Sequence, residues 1–139
     1  MRATLSGTSF RLKRAEIDLR FSAAEDARRL EETITGARPF DGRVRLTVEG
    51  GINRPPLERT EQVAALFGLA RGVAARLGFE LGEASVGGAS DGNFAAALGV
   101  PVLDGLGVDG DGAHAAHEHI ESAALARRAA LIAGLIASL

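Results

Sequence analysis

The first fifty residues carry two hydrophobic periods, one typical of strands and one typical of a helix. Apolar and charged positions alternate over residues 10–21 and again over residues 44–49, which predicts two strands that each bury one face. Between them, Ser22 and Glu25 match a capping box at the start of a helix that runs to about Thr35, with Gly36 as its end. The pattern therefore predicts a β-α-β arrangement.

The remainder of the chain carries hydrophobic patterns with a helical period, separated by short apolar runs. An amphipathic helix is predicted from Thr60 to Leu77, with Gly78 as its end. A brief helix over residues 92–98, capped by Ser90 or Asp91, and a last helix from Ser122 are also predicted. The apolar runs at 79–86 and 100–106 are expected to be strands, and residues 107–120 a loop. This part is predicted to be α-β-α-β-α.

A stiff segment separates the two parts. Gly50 and Gly51 break the strand pattern, and the following Asn53-Arg54-Pro55-Pro56 is extended because each proline restricts itself and its predecessor. We expect a domain boundary here, with residues 1–52 in one domain and 53–139 in another. The predicted fold class is α+β, a fragment of an α/β sandwich built from two segregated pieces.

Composition narrows the functional classes. The 139 residues are 46% hydrophobic and 24% charged with a net charge of −2, which indicates a globular protein and gives no reason to expect nucleic acid or an anionic membrane as a partner. The chain contains no cysteine, so any metal must be held by histidine and carboxylate. No apolar stretch resembles a signal peptide or a membrane span, and we expect a cytoplasmic protein.

Two glycine-rich turns carry the polar residues that suggest chemistry. The first, 86–93, has the sequence VGGASDGN, and its backbone amides form either an anion-binding nest or a tight turn in which glycine only permits close packing. Arg54, beside two prolines, is either a clamp for a carboxylate or an ordinary surface arginine. The residues alone leave both choices open.

The second turn, residues 110–114, begins a cluster of three histidines. His114, His117 and His119 lie within six residues and are flanked by carboxylates, so a zinc site without thiolate is chemically possible. The spacing does not match the helical histidine-glutamate motif of metalloproteases. The alternative is a polar, exposed loop.

Taken together, these motifs resemble a known enzyme family. The order NRPP at 53–56, GGASDGN at 87–93, GVPV at 99–102, GAH at 112–114 and EHI at 118–120 is similar to the C-terminal part of the two-zinc metallopeptidases that include glutamate carboxypeptidase, aminoacylase, acetylornithine deacetylase and succinyl-diaminopimelate desuccinylase. The resemblance runs from about Ala15 to Leu139.

The resemblance implies an architecture and a set of site residues. Residues 1–52 would be half of a β-α-β-β-α-β lid that also makes the dimer, and residues 53–139 the C-terminal segment of the catalytic domain. His114 falls on a zinc ligand of the family and Arg54 on the arginine that binds the substrate's free carboxylate. Asn53, Gly87, Gly88 and Ser90 are expected at the substrate. His117 and His119 match no family ligand.

The resemblance also implies what this chain lacks. The family's other zinc ligands and its general base lie in an N-terminal half that the chain does not contain, and Gly7-Thr8-Ser9-Phe10 departs from the family's lid turn. We therefore expect part of a carboxypeptidase or amidohydrolase that cleaves the amide of an N-acyl amino acid or peptide with two zinc ions, and that is inactive alone. Its partner would be a second copy or the missing half. The alternative is a non-catalytic assembly fragment that self-associates through exposed sheet edges.

Overall fold

The structure, a computed structural model, describes residues 1–7 and 10–139, and of residues 5–7 and 10–12 it describes the backbone alone. The chain forms two compact units. Unit 1 comprises Met1–Glu58 and Val86–Gly99, and unit 2 comprises Arg59–Ser85 and Val100–Leu139. The domain boundary expected after residue 52 stays a prediction.

Unit 1 contains an antiparallel sheet of three strands in the order β2-β1-β3, formed by β1 (Arg2–Gly7), β2 (Phe10–Glu16) and β3 (Val44–Glu49). The central strand β1 was not predicted, and β2 ends five residues before the predicted strand does. Half-buried and exposed side chains alternate along β3, which confirms the period of two. The departure from the family's lid turn includes Thr8 and Ser9, which lie outside the described residues.

The first helix of unit 1, α1 (Ala24–Thr35), lies where it was predicted but begins differently. The capping-box prediction is wrong, because the N-cap residue is Ala23 and not Ser22, and the N-cap side chain makes no hydrogen bond to the helix. Instead, the backbone N–H of Ala24 donates to the carboxylate of Glu58 at 2.6 Å. An acceptor 34 residues away thus stabilises the first turn.

Unit 2 begins with α2 (Glu61–Arg76), whose two ends match the sequence prediction. The Thr60 hydroxyl accepts a hydrogen bond from the N–H of Val63 at 3.2 Å. At the other end, the N–H of Gly78 donates to Ala75 and that of Phe79 to Ala74, each at 3.1 Å. With Gly78 at φ +82°, this is a Schellman motif.

The remaining elements are short except for the last helix. Unit 1 also holds α3 (Gly92–Ala97), and unit 2 holds the two-residue strands β4 (Gly110–Asp111) and β5 (His119–Ile120), a 3-10 turn (Ser122–Ala124) and α4 (Leu125–Ile136). Helices and antiparallel sheets together confirm the α+β class. Among residues 1–7 and 10–139, no helix has the length and apolar character needed to cross a membrane.

The two strands predicted for unit 2 at 79–86 and 100–106 do not form. A strand requires a neighbour that completes its hydrogen-bond ladder, and the described residues provide none there. The apolar residues still pack, because Phe79, Leu81 and Leu106 lie against the core of Val73, Ala74 and Leu131. The predicted strands are therefore absent, and each run is covered only in part, since Val86 is 79% exposed and Val100 52% exposed.

Helices α2 and α4 approach closely at a glycine. A Cβ atom at Gly134 would lie 2.7 Å from Cγ1 of Val73, which is closer than side chains tolerate. Gly134 thus allows the two helices to bury Leu131 between them, and Leu131 is fully buried.

Candidate functional site

Arg54 lies in unit 1 and is held by residues that follow it by more than thirty positions. Its Nη1 donates to Oδ1 of Asp91 at 3.2 Å. The guanidinium carbon also lies 5.1 Å from the centroid of the Phe94 ring, which is cation-π geometry. The Arg54 side chain is 38% exposed, so the guanidinium is partly desolvated yet open to solvent.

Asn93 fixes the backbone beside Arg54. This buried side chain is 7% exposed, and its Nδ2 donates to the carbonyl oxygen of Pro55 at 2.8 Å. Its Oδ1 accepts from the N–H of Ser90 at 2.9 Å. The side chain of Asn93 therefore connects the proline segment to the turn at 90–93.

We expect Asn93→Ala to lower the free energy of unfolding of unit 1 by about 1–3 kcal/mol, because the carbonyl of Pro55 and the N–H of Ser90 lose their partners in a half-buried setting. Urea unfolding measures this. Asn53→Ala is the matched control, since Asn53 is exposed and its change should stay within about 0.5 kcal/mol. Equal midpoints for the two variants would contradict the role of Asn93.

The other residues predicted to bind substrate also lie in unit 1. Asn53, Gly87 and Gly88 are exposed, and Ser90 is half-buried. The Ser90 hydroxyl accepts from the N–H of Gly92 at 3.1 Å, whereas the side chain of Asp91 makes no capping bond to α3. Of the two predicted caps, Ser90 makes a hydrogen bond within the turn and Asp91 pairs with Arg54 instead.

His114 lies in unit 2, in the tight loop between β4 and β5. It has a left-handed backbone conformation, φ +67°, which is uncommon for a residue other than glycine and is strained. Gly112, two residues earlier, is also left-handed, and its carbonyl accepts from the N–H of Ala115 at 2.8 Å. The loop presents His114 on an exposed turn.

His117, in the same loop, and His119, at the start of β5, make local contacts. The His117 ring lies against Gly112, where a Cβ atom would come within 2.6 Å of it, and Nδ1 of His119 lies 3.0 Å from the carbonyl oxygen of His117. Both side chains are exposed. His117 is thus a loop residue as expected, whereas His119 is the first residue of β5.

A three-residue ion cluster anchors the stem of this loop. The Asp109 carboxylate accepts from Nη2 of Arg127 at 2.7 Å and from Nε of Arg128 at 3.0 Å, and it also pairs with Nη2 of Arg128. The Asp109 carbonyl accepts from the N–H of Glu121 at 2.7 Å. Asp109 therefore joins the start of the loop both to its end and to α4.

The same cluster gives a pH dependence. Hydrogen bonds from Arg128 and Arg127 hold the pKa of Asp109 below its ordinary value. A carboxyl whose pKa is lower in the folded chain contributes stability above its unfolded pKa of about 3.9 and loses that contribution as the pH falls through the folded value. We expect the difference in Tm between the natural chain and Asp109→Asn to shrink as the pH is lowered from neutral to below about 3. A difference that is constant with pH would contradict the pairing.

The residues described do not by themselves fit a zinc ion. Among them, no group of three or more histidine or carboxylate side chains is arranged to hold a metal. A catalytic zinc takes about three protein ligands, and the sequence prediction assigned one, His114.

Several contacts around Arg54 and the histidine loop were not predicted from the sequence. Asp91 and Phe94 contact Arg54, Asn93 holds the adjacent Pro55, and Asp109 with its two arginines fixes the stem of the histidine loop. The adjacent Arg127 and Arg128, in an otherwise apolar helix, were a usable signal for a half-buried acidic partner. The chain thus carries a carboxylate-binding candidate in unit 1 and a candidate metal ligand in unit 2.

Comparison with known proteins gives one family. No curated protein and no solved structure matches the chain significantly. The family model for peptidases M20/M25/M40 matches residues 5–138, which is nearly the whole chain. This chain therefore belongs to peptidase family M20/M25/M40.

Proposed function

We propose that this chain is the carboxylate-binding portion of a zinc-dependent carboxypeptidase or amidohydrolase that cleaves the amide of an N-acyl amino acid with a glutamate-like side chain. The observation that carries the proposal is the match to a metallopeptidase-type hydrolase family over residues 5–138. The motifs at Arg54, 87–93 and 112–114 suggest the narrower branch that contains acetylornithine deacetylase and glutamate carboxypeptidase.

Arg54 would bind the free carboxylate of the substrate. A guanidinium offers a planar fork of donors that matches a carboxylate, and it remains charged at any relevant pH. The contact with Phe94 and the anchoring of Pro55 by Asn93 limit the orientations that Arg54 can adopt. This preorganisation supports a binding role, because less side-chain entropy is lost on binding.

The remaining predicted residues would complete the substrate's surroundings. No atom of the described residues lies within 4 Å of a Cβ built at Gly88, so the backbone there would allow close approach of a ligand, whereas the Arg20 side chain lies against Gly87. Asn53 and Ser90 would offer polar groups. His114 would contribute one nitrogen ligand to zinc. We propose that the other ligands and the general base come from residues beyond those described, in the same or another polypeptide.

Self-association is the second candidate. The three-stranded sheet of unit 1 has β2 and β3 at its two edges, and unpaired edges favour association between chains. Light scattering over a concentration series measures the molar mass and, together with ligand binding, distinguishes an assembly role from a hydrolase. A stable oligomer that binds no N-acyl amino acid would favour an assembly role over a hydrolase.

The proposal is tested by release of free amino acid from N-acetyl-L-glutamate and N-acetyl-L-aspartate in the presence of zinc. We expect no release by this chain, and zinc-dependent release, lost in His114→Ala, by the polypeptide that joins it to the sequence encoded upstream. Release by this chain that disappears in His114→Ala would show that it holds a complete site. Absence of release from the joined polypeptide, if it is folded, would contradict the proposed activity.

A further inference from the structure

We propose that Asp91 is an internal competitor of the substrate carboxylate for the guanidinium of Arg54. This inference rests on the proposed function, in which Arg54 binds a carboxylate. A ligand carboxylate would then have to displace Asp91 from Arg54, which would lower the affinity of the chain for that ligand. Three observations support this proposal. The ion pair of Arg54 with Asp91 is a single long hydrogen bond, the Asp91 carboxylate does not stabilise the start of α3, and arginine binds carboxylates best through two donors.

The pair between Asp91 and Arg54 is loosely made. Among the hydrogen bonds of the described residues, one joins these side chains, from Nη1 to Oδ1 at 3.2 Å. The Asp91 side chain is 93% exposed, so its carboxylate is already largely hydrated and little stabilisation is lost when it leaves Arg54. By contrast, Arg43 binds Asp41 through Nε at 3.0 Å and Nη2 at 2.6 Å. The ion pair of Asp91 with Arg54 therefore has fewer and longer hydrogen bonds than the pair of Asp41 with Arg43 in the same unit.

The Asp91 carboxylate makes no contact that the start of α3 requires. The side chain of Asp91 makes no capping bond to α3, although Asp91 occupies the N-cap position. The turn is closed by the Ser90 hydroxyl, which accepts from Gly92, and by Asn93, which accepts from Ser90. Removing the charge of Asp91 should therefore leave the turn intact.

Arg54 itself is held independently of Asp91. Phe94 lies under the guanidinium, and Asn93 fixes the adjacent Pro55 carbonyl. The bond to Asp91 occupies one of five N–H donors, at Nη1. A ligand carboxylate that binds two donors at once forms a stronger pair than the single bond it replaces. The incoming carboxylate therefore displaces Asp91 and leaves Arg54 in place.

Titration of this chain with N-acetyl-L-glutamate by calorimetry at low ionic strength tests the competition. We expect Asp91→Asn to bind about two- to fivefold more tightly than the natural chain, which is the range for loss of an exposed ion pair. The gain should vanish in Asp91→Asn/Arg54→Met. Glu32→Gln, an exposed acid on α1, changes the net charge equally and should leave the affinity unchanged.

The outcomes separate this inference from the proposed function. If Arg54→Met abolishes binding but Asp91→Asn binds no more tightly than the natural chain, Asp91 is no competitor, while the carboxylate site stands. A gain that persists in Arg54→Met, or that Glu32→Gln reproduces, would also overturn the inference. A gain specific to Arg54, with no amino-acid release from the joined polypeptide, would support the competition and contradict the hydrolase.

Discussion

Leu131→Ala is expected to lower the free energy of unfolding of unit 2 by about 2–5 kcal/mol, the usual cost of removing a fully buried leucine side chain. Leu131 has no exposed surface and packs with Val73 and Ala74 where α2 and α4 meet. The close approach of the helices at Gly134 limits their collapse into the cavity left behind. Urea unfolding followed by circular dichroism measures the loss.

Leu139→Ala is the matched control, because it is the same substitution at a position that is 83% exposed. Its effect should stay within about 0.5 kcal/mol. If Leu131→Ala were as mild as Leu139→Ala, the packing of α2 against α4 around Leu131 would be wrong.

Gly110→Ala is expected to open the stem of the loop that carries His114. A Cβ atom at Gly110 would overlap the carbonyl oxygen of His119 on the neighbouring strand, and backbone cannot move aside as a side chain can. Such overpacking costs about 1–3 kcal/mol, which corresponds to a loss of local protection of roughly fivefold to 150-fold. Hydrogen exchange at the amide of Glu121, which bonds to Asp109 beside Gly110, measures it.

Gly107→Ala provides the control three residues earlier. No atom lies within 4 Å of a Cβ built at Gly107, so protection of Glu121 should not change. Equal protection in Gly110→Ala and Gly107→Ala would mean that β4 and β5 do not pair as described.

Elements whose signals are local could be predicted from the sequence. The ends of α2 follow from Thr60 and Gly78, since a hydroxyl cap and a left-handed glycine act within one turn of the helix. The start of α1 could not be predicted, because its acceptor is Glu58, far along the chain. The capping box at Ser22 and Glu25 was locally plausible, and tertiary structure overrode it.

The strand predictions at 79–86 and 100–106 show that a hydrophobic pattern does not predict strand pairing. Phe79, Leu81 and Leu106 from these runs are packed on the core, whereas Val86 and Val100 are exposed. An apolar run does not record whether a partner strand is present. The opposite error concerned β1, which forms the centre of the sheet but was not predicted as a strand.

The candidate site was predictable by residue type and not by partner. Arg54 was a candidate because two prolines follow it. Its contact with Asp91, however, spans 37 positions, and no sequence spacing predicts such a pair. Asp109 and its two arginines are similarly distant, 18 and 19 positions apart. Such pairs depend on how the chain folds, which a single sequence does not report.

The most direct test of the central claim, that unit 1 binds a substrate carboxylate through Arg54, is the affinity of this chain for N-acetyl-L-glutamate in the natural form and in Arg54→Met. Arg38→Met is the control, because Arg38 is exposed and donates to the nearby carbonyls of Gly36 and Ala37. Binding should weaken at least about tenfold in Arg54→Met, as expected for loss of charged hydrogen bonds, and remain unchanged in Arg38→Met. Equal affinity in all three proteins would contradict the claim.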